Sequence, residues 1–181
     1  GARIVDHDKF NRHYTYNLNW AKNLANDLRL TTSYGSATNL PDHYKNNLNI
    51  ANNKTDLKPE RSNNFELGLQ KSYIWGNFGT KVYKSKVSNA FKYEDPDNNS
   101  ATDDAYYIND GIVNIKGIEL NFDRELFGWQ FNTNYDYNSA INKATGLQKG
   151  RRPNHSVSIS MTKTIDKFQH LVNSRAKSWA W

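Results

Sequence analysis

Apolar and polar side chains alternate along much of this chain. In the segment WQFNTNYDYNS (129–139), the odd positions from Trp129 to Tyr137 are aromatic apart from Thr133, and the even positions carry amides and Asp136. Successive side chains of a β-strand point to opposite faces of a sheet. The segment therefore predicts a strand with one apolar face and one polar face.

The same period predicts about eight strands. Clear alternation covers 13–20, 28–34, 64–70 and 156–162 as well as 129–139, and weaker alternation covers 78–87, 106–122 and 168–179. In the long candidate at 106–122, the apolar positions change parity between Val113 and Ile118, close to Gly111 and Gly117. That change predicts a β-bulge in this strand.

Two environments suit strands of this kind. In a soluble sandwich the apolar face packs on a second sheet and the polar face meets water. In an outer-membrane barrel the apolar face meets lipid and the polar face lines a wet lumen. The side chains expected to face the lumen in the second case are Asn17, Asn19, Glu66, Gln70, Asn132, Asn134 and Asp136.

The lengths of the predicted connections favour the barrel. Short links fall near 22–27, 73–77, 123–128 and 164–167, and long polar links fall near 35–60, 94–105 and 140–151. Aromatic residues lie close to the short links, namely Trp20, Tyr73, Trp75, Phe78, Phe127 and Trp129. Short periplasmic turns, long extracellular loops and an aromatic girdle are typical of outer-membrane barrels. The sequence thus predicts an all-β, antiparallel, up-and-down transmembrane β-barrel segment.

Composition narrows the remaining classes of protein. The chain has 181 residues, no Cys, a net charge of +6 and a mean hydropathy of −0.91. No apolar run reaches the roughly 18 residues of a helical membrane span, so a helical membrane protein is excluded. The basic residues are scattered, with Arg151 and Arg152 the pair that stands out, and nucleic acid is not an expected partner.

Several motifs resemble one family. YGSATNLPDHY (34–44) joins an aromatic-Gly strand end to a Pro-bearing loop, and LKPERSNNFELGL (57–69) carries L-x-P-E-x-S followed by E-x-G. NDGIVNIKGIELNF (109–122) carries the pattern N-x-G-x-x-x-x-x-G-x-E, formed by Asn109, Gly111, Gly117 and Glu119. These segments resemble TonB-dependent outer-membrane receptors. GARIVDHDKFNRHYTYNLNW (1–20), VSNAFKY (87–93), YDYNSA (135–140) and GRRPNHSV (150–157) resemble, more narrowly, the cobalamin (vitamin) receptor branch.

The resemblance implies a bacterial outer-membrane protein that takes up a small molecule. Such receptors are large barrels plugged by an N-terminal domain that carries the box recruiting TonB. Residues 1–181 are expected to form only part of the barrel domain, with the plug, the TonB box and the last barrel strands absent. Outer-membrane lipid is an expected partner, and TonB is expected to act through the missing plug region. Closure of this segment into a small barrel and an open curved sheet are both left as alternatives.

The resemblance also indicates a ligand contact. Arg151 falls where a loop arginine contacts the corrinoid in cobalamin receptors, so Arg151 is the candidate cobalamin-binding residue, and Pro153 departs from that branch. A guanidinium suits amide and phosphate oxygens. A ferric siderophore or haem receptor of the same fold is the first alternative function, with His43 as a candidate haem ligand. A soluble all-β carbohydrate-binding module is the alternative from another class.

No catalytic or metal site is expected. The acidic residues Glu94, Asp95, Asp97, Asp103 and Asp104 lack the spacing of an EF-hand, so calcium is not supported within this segment. The histidines show no zinc spacing, and no Cys is available to complete a zinc site. No phosphate-binding loop or nucleophile elbow occurs, and an enzyme is not expected. Cobalamin is expected as the transported ligand and not as a cofactor, and no cofactor is expected to be required.

Overall fold

The chain folds into β-strands connected by turns at one end of a sheet and by longer loops at the other. The computed structural model describes residues 1–97, 104–149, 152–165 and 168–178. Within these ranges the elements are β1 (Ala2–His7), β2 (Asn11–Asn23), β3 (Leu28–Asn39), α1 (His43–Ala51), β4 (Glu60–Tyr73), β5 (Gly76–Ser88), β6 (Phe91–Glu94), β7 (Tyr106–Asn109), β8 (Ile112–Leu126), β9 (Trp129–Asn142), β10 (His155–Ile165) and β11 (Phe168–Ser178).

Nine strands form one antiparallel sheet in the order β1-β2-β3-β4-β5-β8-β9-β10-β11, and β6 pairs with β7 in a separate hairpin. Seven of the eight predicted strands are confirmed as β2–β5 and β9–β11, and the candidate at 106–122 is divided between β7 and β8. β1, which pairs with β2, was not predicted. β1 and β11 are the two edges of the sheet, so the barrel is not closed within the described part of the chain.

The strand register divides the main sheet into two chemically different faces. Starting from Leu18 opposite Tyr34, the pairings place one set of apolar side chains on the same face from β2 to β11. We call this set the apolar band: Leu18, Trp20, Leu30, Tyr34, Phe65, Leu67, Leu69, Phe78, Val82, Ile118, Leu120, Phe122, Phe131, Tyr135, Tyr137, Val157, Ile159, Met161 and Val172. Many of these side chains are largely exposed, as Leu67 is at 40%. Such exposure suits lipid and does not suit water.

The opposite face is polar. All seven side chains predicted to face the lumen lie on it, together with Lys81, Tyr83 and Glu119. Lys81 forms an ion pair of 2.8 Å with Glu119. Tyr83 lies over Gly117, which leaves no room for a Cβ there, and its hydroxyl accepts a hydrogen bond of 2.8 Å from Asn138.

Aromatic side chains mark both limits of the apolar band. At the short-turn end, Trp75 stacks on Tyr73 at 4.7 Å, and Phe127 and Gly128 make a two-residue turn in which both φ angles are positive. At the long-loop end, Tyr16 contacts Tyr34 at 5.7 Å. From Trp129 to Tyr137, eight residues at about 3.4 Å each and an ordinary tilt of about 40° give roughly 21 Å of height, close to the ~25 Å of an outer-membrane apolar band.

The bulge predicted in 106–122 is wrong. β8 pairs with β5 without interruption from Ile112 to Asp123, and a separate strand, β7, precedes it. The apolar positions change parity because the inner face of the sheet is apolar in the loop region, whereas the outer face is apolar along the band. Val113 is buried on the inner side of the loop region, whereas Lys116 lies on the outward face above the apolar band.

The long connections contain structure that alternation did not predict. The β3–β4 connection includes α1, whose N-cap Asp42 accepts a hydrogen bond of 2.9 Å from the backbone of Lys45. The β5–β8 connection includes the β6–β7 hairpin. Among the described residues, no helix is long and apolar enough to span a membrane.

The apolar band makes a prediction about where this sheet tolerates a charged side chain. Ile159 lies in the middle of the band opposite Thr133, and the neighbouring Ser158 lies on the polar face opposite Asn134. We expect Ile159→Arg to lower the free energy of unfolding in lipid bilayers by about 2–4 kcal/mol, because a cation at the bilayer midplane lacks water. Ser158→Arg is the matched control and should change it far less. Equal losses in a denaturant titration would contradict the assignment of the faces.

Candidate functional site

Three connections meet at the long-loop end of the sheet. They are the α1 segment after β3, the β6–β7 hairpin after β5, and residues 143–149 after β9. We refer to them together as the loop platform. A small buried core lies beneath it, made by Ala90, Val113 and Ala140, with Val87 and Ile115 packed against them. The platform therefore has its own apolar support.

Asn49 joins α1 to the β6–β7 hairpin. It is 3% exposed, and its side-chain amide pairs with the backbone of Tyr107 in both directions. Asn49 Nδ2 donates to the Tyr107 carbonyl at 2.9 Å, and the Tyr107 N–H donates to Asn49 Oδ1 at 2.8 Å. A buried amide that satisfies two backbone groups in this way substitutes for a strand partner.

Other asparagines make equivalent connections. Asn52 Nδ2 donates to the Ala105 carbonyl at 2.9 Å. Asn109 donates to the Lys58 carbonyl at 2.9 Å and accepts from the Lys58 N–H at 2.8 Å. Loops that lack strand pairing thus have their backbone groups satisfied by side-chain amides.

An open cavity of about 580 Å³ lies in the loop platform. Its walls come from the β6–β7 hairpin and from the end of β9 with the residues that follow. The lining residues are Phe91, Lys92, Tyr93, Tyr107, Asp110, Asn142, Thr145, Leu147, Gln148 and Lys149. The volume falls within the usual range for small-molecule sites.

Aromatic rings and cations dominate one side of this cavity. Tyr93 and Tyr107 meet edge to face with centroids 5.4 Å apart, and Lys45 Nζ lies 5.5 Å from the Tyr107 ring. Lys149 Nζ donates to the Phe91 carbonyl at 2.9 Å. Rings and cations arranged in this way contact flat or anionic ligands well.

The charged groups of the platform have defined partners. Lys92 Nζ lies 2.6 Å from Glu94, and this hydrogen bond raises the pKa of Lys92, so that its ammonium is charged at neutral pH. Desolvation, and then the charge of Asp95, raises the pKa of Tyr93. The Tyr93 phenol therefore stays protonated and able to donate a hydrogen bond.

Two amide side chains on the other side of the cavity differ in how far their hydrogen-bonding groups are satisfied. Asn142 Nδ2 donates to Asp110 Oδ2 at 2.7 Å. Gln148 Oε1 accepts from the Ala140 N–H at 3.0 Å, whereas the buried Gln148 Nε2 has no hydrogen-bond partner among the described residues.

Acidic residues cluster next to Tyr93. The carboxylate oxygens of Asp95, Asp97 and Asp104 lie within 4.8 Å of one another. The sequence favoured an open solvated loop for this stretch, and the structure instead brings three of its carboxylates together. Asp103, which the sequence grouped with them, lies outside the described residues.

The sequence offered two candidate ligand residues, Arg151 and His43. Arg151 lies outside the described residues, and Arg152 next to it is exposed. His43, the candidate haem ligand, is exposed at the first position of α1. Sequence reasoning missed Tyr93, Tyr107 and Asn49. FKYE around Tyr93 alternates over only four residues, and nothing local shows which backbone an asparagine will bind.

Comparisons with known proteins match this architecture. A family model described as "TonB dependent receptor-like, beta-barrel" matches residues 1–180. The Vitamin B12 transporter BtuB of Photobacterium profundum is 24% identical over 169 residues, which cover 93% of this chain and 28% of that protein.

Solved structures show the same fold. A variant of the ferric enterobactin receptor PfeA from Pseudomonas aeruginosa, in complex with enterobactin, has a TM-score of 0.77 at 18% identity, over 98% of this chain and 30% of that one. The siderophore receptor PirA from Acinetobacter baumannii has a TM-score of 0.74 at 18% identity, over 98% and 31%. The chain therefore spans about a third or less of the length of these relatives.

The role of Asn49 is testable by truncation. We expect Asn49→Ala to loosen the loop platform, because two backbone groups of Tyr107 lose their partner at a cost of about 1–3 kcal/mol each. Limited proteolysis of the assembled receptor should then cut within residues 40–59 faster than in the wild type. Asn47→Ala, at an exposed position of the same helix, is the matched control. Equal protection of the Asn49→Ala and wild-type loops would show that the pairing is dispensable.

Proposed function

This chain belongs to the TonB-dependent receptor family of bacterial outer-membrane β-barrels, and we propose that it supplies loop surface on which such a receptor captures a small molecule for uptake. Membership of this family makes the soluble carbohydrate-binding alternative wrong. The relatives are named as transporters and receptors, and the absence of enzymatic activity in this chain stays a prediction.

The observation that carries the proposal is the cavity in the loop platform. It lies at the end of the sheet opposite the short turns, above the apolar band, where a ligand arriving from outside the cell meets the receptor first. Tyr93 and Tyr107 offer ring surface, and Lys149 and Gln148 offer hydrogen-bond donors. Residues from two connections converge on it, the one between β5 and β8 and the one after β9, as expected of a site that selects one ligand.

Cobalamin is the ligand we propose first. The segments at 1–20, 87–93, 135–140 and 150–157 resemble cobalamin receptors, and the relative matched over 93% of the chain is named as a vitamin B12 transporter. Arg151 is proposed as a contact to amide or phosphate oxygens of the corrinoid, which a planar guanidinium binds through two parallel donors.

A ferric siderophore is the second candidate, and the chemistry of the cavity favours it. A catecholate complex of iron is anionic and aromatic, so it would find cations at Lys92 and Lys149 and rings at Tyr93 and Tyr107, which all line the cavity. The exposed His43 offers less to haem, since it does not line this cavity.

Energised uptake requires parts of the receptor beyond this chain. We propose that TonB acts through a plug domain, and that the apolar band contacts outer-membrane lipid. Residues 1–181 alone should bind ligand weakly, because the affinity of such a site depends on several loops and the plug apex converging on it.

The identity of the ligand can be tested with the parent receptor in outer-membrane vesicles. Equilibrium binding of cyanocobalamin and of ferric enterobactin should show one tight ligand and one weak one. Tyr93→Ala should weaken the tight ligand about 2- to 10-fold, because one aromatic contact is worth about 0.5–1.5 kcal/mol. Tyr14→Ala, outside the cavity, is the control and should have no effect. Tight binding that Tyr93→Ala leaves unchanged would place the site elsewhere.

The proposed role of Arg151 has its own test. We expect Arg151→Ala to weaken cyanocobalamin binding by about 10- to 100-fold, as losing charge-assisted hydrogen bonds of about 1.5–3 kcal/mol would. Arg152→Ala removes the same charge at the adjacent position and should change the affinity by less than about threefold, because exposed charges contribute little. If both substitutions weaken binding to a similar degree, the effect of Arg151 comes from its positive charge alone and not from a specific contact with the ligand.

A further inference from the structure

Three lysines stand together on the outward face of the sheet, directly above the apolar band. Lys84 and Lys86 are on β5, and Lys116 is on β8. All three side chains are exposed. We call them the lysine patch. It lies at the long-loop end of the strands, on the face that carries Val82 and Ile118 two residues closer to the short turns.

The strand register brings like charges face to face in this patch. Lys84 is the direct cross-strand partner of Lys116, and Lys86 pairs with Asn114. Directly opposite residues have Cβ atoms roughly 4.5–5.5 Å apart, and like charges at such positions repel each other. A sheet gains nothing from this arrangement unless an anion lies between the ammonium groups.

The neighbouring outward side chains supply no such anion. Across β4, Lys84 faces Phe65 and Lys86 faces Asn63, and across β9, Lys116 faces Ser139. Among the ion pairs of the described residues, none includes a member of the lysine patch. The patch is therefore a concentrated positive charge with carbon and amide neighbours.

Basic residues at the other end of the apolar band behave differently. Lys71 lies over the ring of Tyr73 at 5.4 Å, and Lys163 lies over Trp129 at 5.7 Å. These lysines are on separate strands and rest on aromatic rings at the short-turn end. Snorkelling of single lysines beside interfacial aromatics accounts for them without a ligand.

We propose that the lysine patch binds the phosphate of a lipid headgroup with net negative charge in the leaflet at the long-loop end. Its distance from the apolar band suits this partner, because an acyl chain lying on Val82 and Ile118 carries its headgroup up to Lys84 and Lys116. A phosphate between the two strands accepts hydrogen bonds from both ammonium groups and cancels their repulsion. The patch thereby fixes the height of this part of the wall in the bilayer.

The test uses the parent receptor in detergent, with native mass spectrometry to count bound lipid as a bisphosphorylated glycolipid or phosphatidylcholine is added. The combined variant Lys84→Gln, Lys86→Gln, Lys116→Gln should bind the anionic bisphosphorylated glycolipid about 100-fold more weakly, on the order of fivefold per lysine. The matched control Lys22→Gln, Lys71→Gln, Lys163→Gln removes the same charge at the short-turn end and should bind within about twofold of wild type, because the attraction of a charge falls off within a Debye length.

Several results would overturn the proposal. They are unchanged glycolipid binding by the patch variant, equal losses in both triple variants, and binding of the zwitterionic phosphatidylcholine that is as tight as binding of the anionic glycolipid. Displacement of the lipid by millimolar inorganic phosphate would identify a free-anion site instead. Heat-modifiable migration on gels confirms that each variant is folded, and the single variant Lys84→Gln, expected to lose about fivefold, tests the patch with the smallest change.

Discussion

Lipid offers no hydrogen-bonding partner to a polypeptide backbone, and this constraint organises the molecule. Every N–H and C=O that crosses hydrocarbon must pair with a neighbouring strand. The uninterrupted registers between β3 and β4, β4 and β5, β5 and β8, and β8 and β9 meet that requirement. Once the backbone is paired, side chains can divide between lipid on one face and the polar interior on the other, which produces the apolar band.

The alternation of side chains predicted the strands that cross the membrane, because there the two faces meet different surroundings. It failed where the surroundings changed. At Val113 the apolar side chain lies on the inner face, against the loop core, whereas lower in β8 the apolar side chains lie on the outer face. The apolar positions therefore change parity as they would at a bulge, although the strand pairing is unbroken. It was silent for β1 and for α1, since Ala2–His7 alternates poorly and α1 has no wide apolar stripe.

The loop platform was beyond sequence reasoning for a different reason. Its shape depends on contacts between residues far apart in the chain, such as Asn49 with Tyr107 and Asn52 with Ala105. An asparagine that holds a loop and one that lies on a wet sheet face look alike in sequence. The motif resemblance identified the family correctly, while the cavity residues became visible only when the β5–β8 connection and the end of β9 were brought together.

The two-faced sheet is the central claim, and cysteine scanning along β9 tests it most directly, because the chain contains no native Cys. Single cysteines at positions 130–137 of the receptor in outer membranes would be labelled with a fluorophore and quenched either from lipid or from water. We expect the odd positions to be quenched by the lipid-phase agent and the even positions by the aqueous agent. Uniform aqueous quenching along β9 would contradict the membrane-spanning sheet.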